Sequence, residues 1–117
     1  MLSVAAYKVA HIFGVLLVFV AFGAALVDGS RRKLATMTHG IGLLIVLVAG
    51  FGALARLGIH GPGGWPLWIW LKLLIWLALG AAMTVARRSP ATAKALWWLL
   101  PLLGAAAAYL ALFKPGA

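Results

Sequence analysis

The chain has 117 residues, 66% of them apolar, and a mean hydropathy of +1.12. A soluble domain of this size keeps about half of its residues polar to cover its surface, so the composition argues against a soluble globular protein. The net charge of +9 does not indicate nucleic-acid binding, because no soluble segment is long enough to carry a basic patch.

Four long apolar segments follow one another along the chain, and they predict helices at about 5–27, 35–57, 66–86 and 95–113. Each approaches the ~20 residues that a helix needs to cross a bilayer. Helices are expected because lipid cannot satisfy exposed backbone groups. The first segment lacks the cleavage site of a signal peptide and is read as a retained span. We therefore predict an all-α integral membrane protein with a single domain over 1–117, an antiparallel up-down-up-down four-helix bundle.

Three short connections at 28–33, 58–66 and 87–94 separate these helices, and they hold most of the charge. The middle connection is rich in glycine and proline, which stop one helix and start the next. The first and third lie on one side and carry six cations: Arg31, Arg32, Lys33, Arg87, Arg88 and Lys94. The other side has Lys8, Arg56 and Lys114 near helix ends. Because cations favour the cytoplasm, both termini are predicted to face outward, across a bacterial inner membrane.

Helices 1 and 2 share an internal repeat, with an H-x-x-G start at His11 and at His39 and an F-G-A finish at residues 22–24 and 51–53. Chance similarity between two apolar helices is the alternative. At helical spacing, small residues follow each histidine on one face, and small residues permit close helix approach in membranes. Both histidines are therefore predicted to point into the bundle rather than into lipid.

Ionisable groups inside a membrane are costly and are candidates for function. Antiparallel threading brings His11, Lys72 and His60 to the outer level, with Arg56 near the same end. His39 lies about 15 Å away in depth, too far to share one metal with His11. Each has a structural alternative. His11 can hydrogen-bond a helix carbonyl, His39 can pack at the interface, Lys72 can extend to headgroups, His60 can be solvated, and Arg56 can anchor to headgroups.

The sequence excludes several chemistries. A single acidic residue rules out paired-carboxylate catalysis, the lack of cysteine rules out thiolate sites, and no phosphate-binding loop is present. A bundle core with a histidine is a common cofactor site, and neutral imidazole binds haem iron well. The prediction is therefore haem b, or a quinone, with His11 as the metal ligand and Lys72, His60 and Arg56 as further binding residues.

Two segments carry a resemblance to a known family. Residues 8–14, with Lys8 and His11 in a K-x-x-H start, and residues 70–74, with Trp70 and Lys72, resemble segments of the small bacterial protoporphyrinogen oxidase membrane proteins of the HemJ type. That group is similar to the membrane domain of copper-resistance protein D and to SirB-like proteins. The resemblance implies a helical bundle that binds b-type haem, with His11 and Lys72 matching the family's important histidine and lysine.

Three functional readings remain open at this point. The first is a redox membrane protein with haem or quinone between its helices. The second is a non-catalytic subunit or assembly factor of a larger membrane complex, or a homo-oligomer. The third is a channel or transporter, which would need a water-filled path reaching both His11 and His39. All three place the chain in contact with a lipid bilayer and none with nucleic acid.

Overall fold

A computed structural model describes residues 3–27, 32–59 and 61–114, and these fold into four α-helices. They are α1 (Val4–Val27), α2 (Arg32–Arg56), α3 (Leu67–Arg88) and α4 (Pro90–Phe113), with a 3-10 turn at Pro62–Gly64 between α2 and α3. Each of the four helices is long and apolar enough to cross a membrane. The predictions of an all-α fold and of a multi-pass membrane protein are confirmed at this level.

The helices pack as pairs, α1 with α2 and α3 with α4. The chain divides into two compact units, residues 1–64 and 65–117, and each unit contains one pair. Within both pairs the helices run antiparallel, because the start of one helix contacts the end of its partner. The prediction that all four helices form a single bundle stays a prediction.

Capping residues fix the ends of the first pair. Ser3 precedes α1, and its hydroxyl accepts a hydrogen bond from the Ala6 amide at 3.1 Å. At the end of α2, Gly58 has a φ of +81°, which a residue without Cβ adopts at no steric cost. The Ile59 amide then donates to the Leu54 carbonyl, and the Gly58 amide donates to that of Ala55. This is a Schellman cap, and it sets where the second span stops.

The connection predicted at residues 87–94 is wrong, because α3 continues through Arg88 and α4 begins at Pro90. Only Ser89 separates the two helices. Its amide donates to the Val85 carbonyl at the end of α3, and its hydroxyl accepts from the Thr92 amide at the start of α4. Proline is favoured in the first turn of a helix. One serine thus ends one helix and starts the next.

The second pair has its own apolar core. The buried side chains are those of Trp68, Ile69, Ala82 and Met83 from α3 and Leu96, Leu100 and Leu110 from α4. At the end away from Ser89, the Lys114 ammonium lies 5.9 Å from the centre of the Trp68 ring, a cation–π distance. Pro101 lies inside α4 and has no amide hydrogen to donate within the helix.

Candidate functional site

Two glycines face each other where α1 crosses α2. A Cβ atom built on Gly14 would lie 2.9 Å from both the Gly42 carbonyl oxygen and the Val46 amide nitrogen. One built on Gly42 would lie 2.8 Å from the Gly14 carbonyl oxygen and 3.0 Å from the Val18 amide nitrogen. Any side chain here would meet backbone, so the two helices are in backbone contact. This is the close approach that small residues allow between membrane helices.

His11 reaches from α1 to the backbone of α2. Its Nδ1 lies 2.8 Å from the Val46 carbonyl oxygen. A carbonyl can only accept, so Nδ1 carries the proton and donates, and in the neutral ring the basic lone pair is on Nε2. Gly50 makes room for the ring, since a Cβ on Gly50 would lie 3.3 Å from the imidazole Nδ1 and Cε1 atoms. The side chain is half-buried.

Tyr7 lies one turn before His11 and fills a second notch of α2. A Cβ on Gly52 would overlap the Tyr7 ring, so the absence of a side chain at Gly52 is what admits the phenol. The sequence reasoning missed Tyr7, Gly50 and Gly52. The signal was present as two glycines two residues apart near the end of α2, opposite two ring-bearing residues one helical turn apart on α1.

His39 lies in the pair at the opposite end and is more enclosed. It is 5% exposed, and its ring meets Phe22 of α1 edge-on, with ring centres 4.9 Å apart and planes at 85°. Phe22 is itself 1% exposed. The prediction that both repeat histidines point into the protein rather than into lipid is supported by these contacts for His11 and His39 alike.

The two histidines are separated along the helix axis. His39 lies 7 to 11 residues along α2 from Val46 and Gly50, the residues that His11 contacts. At 1.5 Å per residue this is about 10 to 17 Å. A metal–imidazole bond is about 2 Å long, so one metal ion cannot bind both. The two histidines of the repeat therefore do not act together on one ion.

The contacts between α1 and α2 repeat with a constant offset. His11, Gly14, Val18 and Phe22 of α1 correspond to His39, Gly42, Val46 and Gly50 of α2, each 28 residues later. Gly14 meets Val46 as Gly42 meets Val18, and His11 meets Gly50 as His39 meets Phe22. The pair thus has an approximate twofold relation centred on the glycine crossing. In this register Phe22 matches Gly50, so the two F-G-A finishes are offset by one residue.

The other predicted site residues fall in different parts of the chain. Arg56 is the last residue of α2 and is exposed, a position where a cation is favoured by the helix dipole. Lys72 is half-buried in the second turn of α3, in the other unit. His60 lies outside the described residues. The pairing of His11 with Lys72 or His60 stays a prediction.

The side chains near His11 that could ligate a metal indicate whether a bare ion or a haem fits there. Among residues 3–27, 32–59 and 61–114, no group of three or more His, Cys, Asp or Glu side chains comes together. A bare divalent ion usually needs three or four protein ligands. Haem iron needs one axial imidazole, because the porphyrin supplies the other nitrogens. The residues present fit haem better than a bare metal ion.

Comparison with protein-family models, with curated proteins and with solved structures finds no match for the chain.

Proposed function

We propose that this four-span membrane protein binds b-type haem through His11 and acts in electron transfer. The observation that carries the proposal is the hydrogen bond from His11 Nδ1 to the Val46 carbonyl. Histidines that ligate metals commonly donate their second ring N–H to a backbone carbonyl, which fixes the tautomer and raises the basicity of the ligating nitrogen. His11 has that arrangement, with Nε2 as the basic atom.

Cationic residues of the chain supply the second part of the proposal. Arg56 lies six residues beyond Gly50 on α2, about 9 Å along the axis towards the helix end. A haem held by His11 would carry its propionates towards such a cation, and Lys72 and His60 are proposed as the further partners. Haem supplies one-electron chemistry when bound. The protein's own contribution is an oriented imidazole and neutralisation of the propionates. A quinone hydrogen-bonded to His11 is the alternative cofactor.

The test is an absorption spectrum of the purified protein, with two substitutions at one residue. We expect a Soret band that is lost in His11→Ala. His11→Asn places an amide donor near the Nδ1 position, so it retains a donor towards Val46 but lacks a good iron ligand. It should lose the Soret band and keep more of the stability of the α1–α2 pair. A colourless preparation from haem-replete cells would refute the proposal.

We propose, in addition, that both pairs join in one four-helix bundle in the cytoplasmic membrane of a bacterium, with both termini on the outer face of that membrane. The excess of cations at residues 31–33, and at the adjoining ends of α3 and α4 in residues 87–94, supports this orientation. The chain has no cysteine, so single cysteines can be introduced without background. A membrane-impermeant maleimide should label Gly63→Cys in intact spheroplasts and Lys94→Cys only after lysis. The reverse pattern would refute this topology.

A second candidate is a non-catalytic subunit or assembly factor of a membrane complex. It is favoured by the use of both histidines as contacts between α1 and α2, since a histidine bonded to a helix carbonyl also serves structure alone. In that case His11→Ala would weaken the pair without any spectral change. Partner subunits, or further copies of this chain, would co-purify with the wild-type protein after mild solubilisation.

A further inference from the structure

The twofold relation between α1 and α2 is broken at the residues that face the two histidines. Gly50 faces His11, and Phe22, at the matching position of the repeat, faces His39. We infer that the residue opposite each histidine, Gly50 or Phe22, decides which of the two can take a ligand: half-buried His11 rather than enclosed His39. The inference extends the proposed function, and it rests on that function only for the identity of the ligand.

The open side depends on the missing side chain of Gly50. A Cβ there would lie 3.3 Å from the His11 Nδ1 and Cε1 atoms, tighter than ordinary van der Waals contact. The imidazole, whose Nδ1 lies 2.8 Å from the Val46 carbonyl oxygen, would have to shift to accommodate the new methyl group. Gly50 therefore positions the ring without touching a ligand itself, and His11 stays half-buried rather than enclosed.

The closed side depends on the Phe22 ring. It packs edge-on against the imidazole, and both side chains are almost fully enclosed, His39 at 5% and Phe22 at 1% exposure. A flat cofactor needs contact area on the ligating side of an imidazole. At His39 the Phe22 ring already lies against the imidazole, so a flat ligand would have to displace it.

The repeat has further members that do not differ in this way. Gly14 corresponds to Gly42, and each lies against backbone of the partner helix. The glycine crossing itself is therefore preserved on both sides. The residue opposite the histidine differs, glycine in one case and phenylalanine in the other.

The first test measures access to each imidazole without haem. Full-length protein from haem-deficient cells is treated in detergent with diethyl pyrocarbonate, and the modified histidines are quantified by peptide mass spectrometry. We expect His11 to react at least about tenfold faster than His39, because His39 must wait for local opening of the pair. Equal rates at the two positions in folded protein would overturn the inference.

Two substitutions then test what sets the difference between the reaction rates of His11 and His39. Phe22→Ala should raise the rate at His39 and leave His11 unchanged, whereas Gly50→Ala should lower the rate at His11. Folding of each variant is checked by circular dichroism. If Phe22→Ala unfolds, Gly50→Ala alone decides, and an unchanged His11 rate in that variant would overturn the inference.

Hemin titration separates this inference from the proposed function. His11→Ala should lose hemin binding, and the double variant His11→Ala with Phe22→Ala should regain a Soret band through His39. Hemin binding that survives in His11→Ala refutes the haem proposal while the order of chemical reactivity stands. Hemin binding that depends on His11, with no change in His39 access in folded Phe22→Ala, refutes the inference alone.

Discussion

Replacing Gly14 by alanine tests the backbone contact on which the first helix pair depends. The new Cβ would lie 2.9 Å from two backbone atoms of α2, and ordinary contact begins at 3.4 Å, so the helices must separate by about 0.5 Å. Backbone cannot turn aside as a flexible side chain can. Overpacking of this kind costs about 1–3 kcal/mol.

The same separation weakens a hydrogen bond. The His11–Val46 bond would lengthen from 2.8 Å to about 3.3 Å, beyond the usual limit for an N–H···O bond. Interhelical hydrogen bonds in membranes contribute about 0.6 kcal/mol on average. Gly14→Ala should therefore lower the free energy of unfolding of the pair by about 2–4 kcal/mol relative to a glycine-to-alanine change without contacts.

Gly23 provides that matched control in the same helix, because nothing lies within 4 Å of a Cβ built there. Gly23→Ala should be neutral or stabilising by about 0.5–1 kcal/mol, the usual advantage of alanine in a helix. All six tryptophans lie in residues 65–98, so native fluorescence does not report on α1 and α2. Pyrene labels on Lys8→Cys and Leu57→Cys, both exposed, would report their separation by loss of excimer emission during titration with SDS. Equal stabilities of the Gly14→Ala and Gly23→Ala proteins would refute the reasoning.

Three further predictions concern contacts elsewhere in the two pairs. Ser89→Ala removes the hydroxyl that caps α4 and should cost about 1 kcal/mol in an SDS titration followed by tryptophan fluorescence, whereas Ser89→Asp should be nearly neutral. Gly52→Ala should destabilise the first pair because its Cβ overlaps the Tyr7 ring, and Tyr7→Ala should reverse most of that loss in the pyrene assay; no rescue would contradict the contact. Lys114→Ala should lose about 0.5–1 kcal/mol through its contact with Trp68, and Lys114→Arg should retain it.

The helices could be predicted from the sequence because their signals are local. Apolar length alone located α1 to within one residue at its start, and the predicted end of α1 matches Val27. The start of α4 was missed by five residues. The charges of Arg87, Arg88 and Lys94 favour a loop there, yet a serine followed by proline is itself a strong helix-start signal.

The candidate site could be predicted only in part. The repeat indicates that His11 and His39 face inward. Antiparallel threading predicts a gap of about 15 Å between them, and the contacts of His11 along α2 give about 10 to 17 Å. Which residue faces each imidazole depends on the register between α1 and α2, and a shift of one residue changes it. The matching F-G-A finishes make Phe51 the counterpart of Phe22 in the repeat, whereas the contacts set Gly50 in that place. Gly50 and Gly52 matter because they lack a side chain, and a pattern of apolar residues does not indicate such positions.

The single residue between α3 and α4 restricts how that pair can move. One residue spans at most about 3.5 Å, so the two helices are tethered at their Ser89 ends whatever happens elsewhere. If α3 and α4 move apart, they must rotate about Ser89, so the distance between them increases with distance from this residue. The separation of the two helices would be largest at the far end, where Lys114 contacts Trp68. That contact therefore opposes opening of the second pair.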